Sequence, residues 1–291
     1  MLVNLRSHKI LYPKVKAFLR VSAYLFLLLL ICGYVVIKTP KENYNVKHGY
    51  NWEKYDPSLN SKLRSIDDIL TYTDRISANK DRHSEAYISS LQEVLSKRFF
   101  NGYSYYSFHQ NWITYLAGKF IWKDLDAIVS SRGILMHPYA ACSQVAIVFS
   151  DCLRQIGIPY RKVTLQNHFI LEGKVNNDWV MLDANLEPNY PNGMKSVQEL
   201  KASSELFTAY KGHKTVDQLN YMFSKINYGQ ENERFAIKTF LFQRITLFLS
   251  AMIAISLLFF VMYDLAIHLF RTQPILKQNK IYRGYARLQN R

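Results

Sequence analysis

The chain has 291 residues, 49% of them hydrophobic, a formal net charge of +15 and three cysteines. That length suits one sizeable domain with accessory segments, and so few cysteines exclude a disulfide framework. The basic excess is concentrated at the two ends rather than along a folded face, so nucleic acid is not an expected partner.

The first element is an uncharged apolar run from Val21 to Ile37, and a second run covers Ile245 to Met262. Each can extend by a turn, giving expected transmembrane helices at 21–38 and 241–268, long enough for a hydrocarbon core of about 30 Å. Arg6, Lys9, Lys14, Lys16 and Arg20 precede the first run, and Arg271, Lys277, Lys280, Arg283, Arg287 and Arg291 follow the second, with no acid in either tail. The positive-inside tendency makes both tails (1–20 and 269–291) cytoplasmic and places 39–240 on the far side of the membrane. The first run ends in VVIKTPKENY without a small-x-small cleavage site, and Ile31 before Cys32 is a poor lipoprotein match, so an uncleaved anchor is expected.

Residues 38–60 are polar and turn-rich and read as a stalk. Helical periodicity follows in IDDILTYTDRI and AYISSLQEVLSKRF, where Leu91, Val94 and Leu95 mark one buried face. FFNGYSYYSFHQNW reads as an aromatic loop, and Trp112 to Ser130 as a further helix with Ile113, Leu116, Ile121 and Leu125 on its apolar side. Tyr103, Tyr105, Tyr106, Phe108 and Trp112 pack between the leading helices and the core, or form a cleft wall for an extended peptide or a sugar. From Cys142 a helix is expected with Val145, Val148, Phe149, Cys152, Leu153 and Ile156 on one stripe, closed by Gly157 and Pro159. Three short strands follow, RKVTL, NHFILEG and DWVMLD, the last two joined by a hairpin at KVNND. Residues 190–238 read as turns and helices.

Three residues in this stretch suit nucleophilic catalysis. Cys142 stands at a helix start, where unpaired backbone N–H groups favour an anion and can serve an oxyanion hole. His168 opens a strand and Asp183 ends the next, and hairpin neighbours lie about 5 Å apart. A thiol, an imidazole to move its proton and a carboxylate to orient the imidazole make a nucleophilic set. In one helix Cys142 and Cys152 would be about 15 Å apart, beyond the roughly 7 Å that a disulfide tolerates. Cys152 reads as an inert core residue and His137 as a loop histidine. No HxxxH, CxxC or clustered carboxylate spacing calls for a metal, and no cofactor is expected.

Cys142, the phrase Gly157-Ile158-Pro159-Tyr160-Arg161, His168 with Glu172, and Trp179 with Asp183 together resemble the transglutaminase-like superfamily, permuted relatives of papain-like cysteine enzymes, over about 110–190. The resemblance implies a membrane-anchored bacterial member with an α+β fold, its nucleophile helix packed on an antiparallel sheet between two transmembrane helices. It implies Cys142 as nucleophile, His168 as general base and acid, and Asp183 as orienter. Ala140-Ala141-Cys142 replaces the family's common Gly-x-Cys, and Asp183-Ala184-Asn185 replaces its Asp-Pro-Thr. Trp112 or Trp122, Gln144 and Asn185 are candidates for the oxyanion site or substrate cleft, with Glu187 and Asn189 beside the last. The expected function is thioester chemistry on an amide or peptide bond outside the cytoplasmic membrane, in the periplasm or cell envelope, with hydrolysis favoured over transamidation. Its partners would be a peptide or protein substrate, the lipid bilayer and envelope assembly proteins. The alternative is a non-catalytic peptide-binding or assembly partner in an envelope complex.

Overall fold

A computed structural model describes the backbone of residues 5–37, 53–78 and 80–288, with side chains described for 15, 17–37, 53–78 and 80–270. Most of the expected stalk, and the side chains of all the tail lysines and arginines except Arg20, lie outside the described residues. The chain forms two units: Met1–Thr39 with Ser107–Ile113 and Arg244–Arg291, and Pro40–Tyr106 with Thr114–Gln243.

The first unit is built on two long helices, α1 (Leu5–Val36) and the last helix of the chain, Ile237–Leu288. Their stretches Ala17–Val36 and Ile237–Phe270 are long and apolar enough to cross a membrane and flank the central domain. Phe18, Val35 and Phe259 are 70% to 75% exposed. A buried soluble helix would hide such side chains, whereas lipid can cover them. Polar groups on the two helices pair: Arg20 meets Asp264 at 2.6 Å and Tyr24 donates to the same carboxylate at 3.1 Å. Residues 107–113, expected in the outer domain, group with these helices. The Phe108 ring sits over Gly33, where a Cβ would come within 2.7 Å of it. Asn111 donates to Thr246 and accepts from Ser250, each at 3.1 Å.

The second unit is mixed α+β. Its leading helices are α2 (Leu59–Lys62), α3 (Ile66–Ile76) and α4 (Glu85–Arg98). Ser65 and Asp68 form a capping box at the start of α3, and Ser84 caps α4. α5 (Phe108–Phe120) shares its first residues with the first unit, across a break at Asn111. The expected helix to Ser130 stops at Phe120. The N–H groups of Ile121 and Trp122 both turn back to Ala117, Asp124 takes φ 72°, and Asp126 folds over Gly118, where a Cβ would come within 2.3 Å of it. After α6 (Ser131–Ile134) comes α7 (Cys142–Gln155), whose expected stripe is buried and whose terminal Gly157 takes φ 78°.

The sheet follows: β1 (Tyr160–Leu165), β2 (His168–Val175) and β3 (Asp178–Leu182). Asn176 and Asn177, both at positive φ, make the hairpin turn between β2 and β3. Then come α8 (Val197–Ala202), α9 (Glu205–Ala209), α10 (Val216–Met222) and β4 (Ile226–Glu231), before α11, the long last helix already given. The four strands are antiparallel in the order β3-β2-β1-β4. The periodicity does not predict β4: INYGQE is polar, contains glycine and forms an exposed sheet edge. Leu171, Val175, Val180 and Leu182 share a core with α3, α4 and α7. Val163, Leu165, Ile170 and Met181, on the opposite face, share a second core with α8, α9 and α10.

Three residues of the sequence phrase meet on that second face. Arg161 reaches Glu172 through Nε at 2.7 Å and through its terminal nitrogen at 2.6 Å, while the other Glu172 oxygen accepts from Val197 N at 2.7 Å. The guanidinium lies between the rings of Trp179 and Tyr228, 4.3 and 4.5 Å from their centroids. Glu172 is fully buried, so its charge depends on these partners. Replacing Arg161→Ala strands that carboxylate and is expected to lower the stability of the central domain by about 3 kcal/mol. Denaturant unfolding in detergent measures this, and Arg161→Ala combined with Glu172→Gln should recover part of the loss.

Candidate thiol site

β2 opens on His168 because the tight turn at Gln166 and Asn167, the latter at φ 58°, ends β1 one residue pair earlier, with Leu165 opposite His168. Asp183 immediately follows β3, whose Leu182 pairs with Leu171. The two side chains are thereby adjacent, with His168 Nε2 2.8 Å from Asp183 Oδ2. Cys142 opens α7, and its side chain is near enough to His168 to help raise the imidazole's pKa. The three expected site residues therefore lie together.

Asp183 is 1% exposed and needs several donors to remain ionised. Tyr210 Oη donates to Oδ2 at 2.9 Å, while the N–H groups of Asn185 and Leu186 donate to Oδ1 at 3.2 and 3.1 Å. The Asp183 N–H donates to Gln92 Oε1 in α4 at 2.9 Å. Burial opposes ionisation, but the His168 charge and these hydrogen bonds prevail, and the Asp183 carboxyl is held below the usual carboxylate range. Burial also opposes an imidazolium. The charge and hydrogen bond of Asp183, then those of Cys142, outweigh it, and His168 is pushed up to about 10. The pairing thus favours a charged imidazole beside the ionised carboxylate.

Cys142 is half-buried and lines a narrow cleft with Val145, Phe149, Phe169, Asp183 and Asn185. Cys152 is fully buried, which pushes its thiol up, with the Asp151 charge adding to the effect. All three cysteines are free. No side chain caps the start of α7, and the N–H groups of Gln144 and Val145 bond back to Ala141 O. Among the described residues, no hydrogen-bond partner is seen for the N–H groups of Cys142 and Ser143.

The remaining candidates divide. Asn185 lies in the cleft. Gln144 is turned into the protein: Oε1 accepts from Ser104 N at 2.9 Å and Ala141 N at 3.3 Å, and Nε2 donates to the carbonyls of Ser104 and Ile128 at 2.9 and 2.8 Å. It fastens the aromatic loop to α7 and has no amide atom left for the cleft. Trp112 belongs to the membrane-helix unit, where its ring meets Phe26 edge-on at 5.9 Å. Trp122 is 73% exposed after α5. Tyr103 and Tyr105 are exposed with ring centroids 5.7 Å apart, and Phe108 packs in the first unit. Glu187 pairs with Lys54 at 3.0 Å. His137 is buried, its ring centroid 5.6 Å from that of Tyr139. Tyr210 and Gln92 carry no sequence signal of their own, since each reaches Asp183 from a distant element.

Comparison with protein-family models, with curated proteins and with solved structures finds no match to this chain.

Two outcomes follow from these charges. The raised His168 contributes stability fully below its unfolded value near 6.5, and this declines as pH rises until it is lost near 10; the depressed Asp183 contributes above about 3.8 and its share falls away in acid. Stability from the pair is thus greatest at about pH 4 to 6.5, and Asp183→Asn should flatten the alkaline decline when unfolding is measured across pH. Tyr210→Phe removes a hydrogen bond to a buried carboxylate and should cost about 2 kcal/mol in the same measurement.

Proposed function

We propose that the central domain is a transglutaminase-like cysteine enzyme, tethered by α1 and α11 in the cytoplasmic membrane with both termini inside and the thiol site outside. The observation that carries this reading is His168, paired with Asp183 at 2.8 Å, with Cys142 beside them in the same cleft at the start of α7. The packing of α7 on an antiparallel sheet adds to it, as does the convergence of Arg161, Glu172 and Trp179 from the family phrase. The basic tails favour this orientation.

The chemistry follows from the charges. The Cys142 sulfur, as thiolate beside the His168 imidazolium, attacks the carbonyl carbon of an amide, and the carbonyl π electrons move onto oxygen. The Cys142 and Ser143 N–H groups at the start of α7 stabilise that oxyanion. His168 gives its proton to the leaving nitrogen, the C–N bond breaks, and a thioester remains on Cys142. His168, now neutral and held by Asp183, takes a proton from water as the water attacks; the acid departs and the thiolate–imidazolium pair is restored. An amine in place of water would give transamidation, but the apolar cleft contains no carboxylate besides the engaged Asp183 to collect a cationic amine, which favours hydrolysis of a peptide or protein.

Alkylation by an iodoacetamide probe tests the site without a known substrate. In a Cys32→Ser chain at neutral pH, labelling should fall on Cys142 rather than buried Cys152, vanish when Cys142→Ala is added and slow by about tenfold or more when His168→Ala is added. Equal labelling rates with and without His168→Ala would refute an activated thiol and favour a peptide-binding module.

A further inference from the structure

One exposed feature lies outside the thiol site. Phe120, Ile121 and Trp122, consecutive at the end of α5, are 82%, 81% and 73% exposed, between the exposed Lys119 and Lys123. Three adjacent large apolar side chains turned to solvent mark an interaction surface more often than an ordinary loop. The loop is firmly held. Asp126 is seated over Gly118, and Gln243 Nε2 donates to the carbonyls of Leu125 and Ala127 at 3.0 and 2.6 Å, while Gln243 Oε1 accepts from Val129 N at 3.3 Å.

The position of Gln243 identifies the partner. It belongs to α11, inside the stretch Ile237–Phe270 that is apolar enough to cross a membrane, two residues before the uncharged run starting at Ile245. The loop bearing the apolar tip is therefore fixed to the part of the helix that enters the bilayer. The tip also has the composition of a membrane interface: an aromatic with a polar edge, two fully apolar side chains, and lysines whose stems can lie along acyl chains while their ammonium groups stay in water. Lys119 Nζ is 4.0 Å from Asp126, and Tyr105 Oη donates to Asp124 at 3.3 Å, so the local acids have partners within the loop region.

We propose that Phe120-Ile121-Trp122 is a membrane-interface anchor whose side chains enter the headgroup–acyl boundary of the bilayer crossed by α11. This rests on the membrane placement given under Proposed function. The same loop continues to Ile128, whose carbonyl accepts from Gln144 in the first turn of α7. What the tip touches is thus mechanically linked to the helix that presents Cys142.

The full chain with Cys32→Ser and Cys142→Ser, and Cys152 left buried, is given Ile121→Cys or, as an exposed outer-domain control, Val216→Cys. Each is labelled with an environment-sensitive nitrobenzoxadiazole and reconstituted into phosphatidylcholine vesicles with brominated acyl chains. The label at 121 is expected to emit at shorter wavelength and to be quenched at least about threefold more than the label at 216. In the chain with native cysteines, Trp122→Tyr should reduce the lipid-quenchable share of tryptophan emission, a check that does not depend on the labelled variants folding. Equal, water-like emission at 121 and 216 would overturn the proposal, as would a blue shift at 121 without bromolipid quenching but with cross-linking to a second copy. Alkaline carbonate extraction separates the two ideas: a chain that stays with the vesicles while 121 remains unquenched refutes the anchor alone, and a chain that is extracted refutes the membrane tether.

Discussion

The central domain is organised around a buried negative charge. Asp183 is almost completely removed from water, and a carboxylate in that position costs several kcal/mol unless donors surround it. The donors come from separate parts of the chain: His168 from β2, Tyr210 from just after α9, and the N–H groups of Asn185 and Leu186 from the turn that Asp183 itself begins. Gln92 of α4 receives the Asp183 N–H. A misplaced α4, sheet or C-terminal helical segment would leave this charge short of partners. The position of the imidazole is therefore a consequence of satisfying Asp183, which is how a fold can hold a proton carrier still without devoting an element to that task alone.

A second buried carboxylate does the corresponding work farther along β2. Glu172 is four residues from His168, so strand alternation puts both side chains on the same face. Glu172 is met by Arg161 from β1 and by Val197 N at the start of α8, and the guanidinium is clasped by Trp179 and Tyr228. The strands are thus fastened at two points, with Ile170 and its apolar neighbours between them. Arg161, Glu172 and Trp179 brace the sheet, whereas Cys142, His168 and Asp183 gather at the thiol site, and both sets depend on the same strand register.

That register explains what was legible. The stripe on α7, the stop at Gly157 and the alternation in RKVTL, NHFILEG and DWVMLD are local signals, and each corresponds to an element observed. His168 and Asp183 could be paired from sequence because a hairpin makes neighbours of residues with a simple spacing. Tyr210, Gln92 and β4 depend on long-range packing. Nothing within INYGQE distinguishes an edge strand from a loop until β1 offers its free side, and nothing near Tyr210 reveals a carboxylate 27 residues earlier. The expected helix from Trp112 failed for a related reason: its apolar spacing continues through Ile121 and Leu125, but Gly118 allows Asp126 to fold back over α5, and a close approach of that kind leaves no trace in periodicity.

The start of α7 shows the same economy at the reacting atom. Helix N-termini usually take Ser, Thr, Asp or Asn at the cap, with the side-chain oxygen bound to the N–H groups of the second or third residue. Here the cap is Ala141, and the cap has no side-chain hydrogen bond. An oxygen at that place would compete for the donors that an oxyanion needs and would set a second electron-rich atom beside the sulfur. Gln144 takes over the structural part of the capping role from inside the helix, receiving the Ala141 N–H and tying Ser104 and Ile128 to the same turn. The first turn is held firmly by an amide that faces the interior, while the positive end of the helix dipole stays directed at the thiol. The turn is thus fixed from within while its mouth stays uncapped.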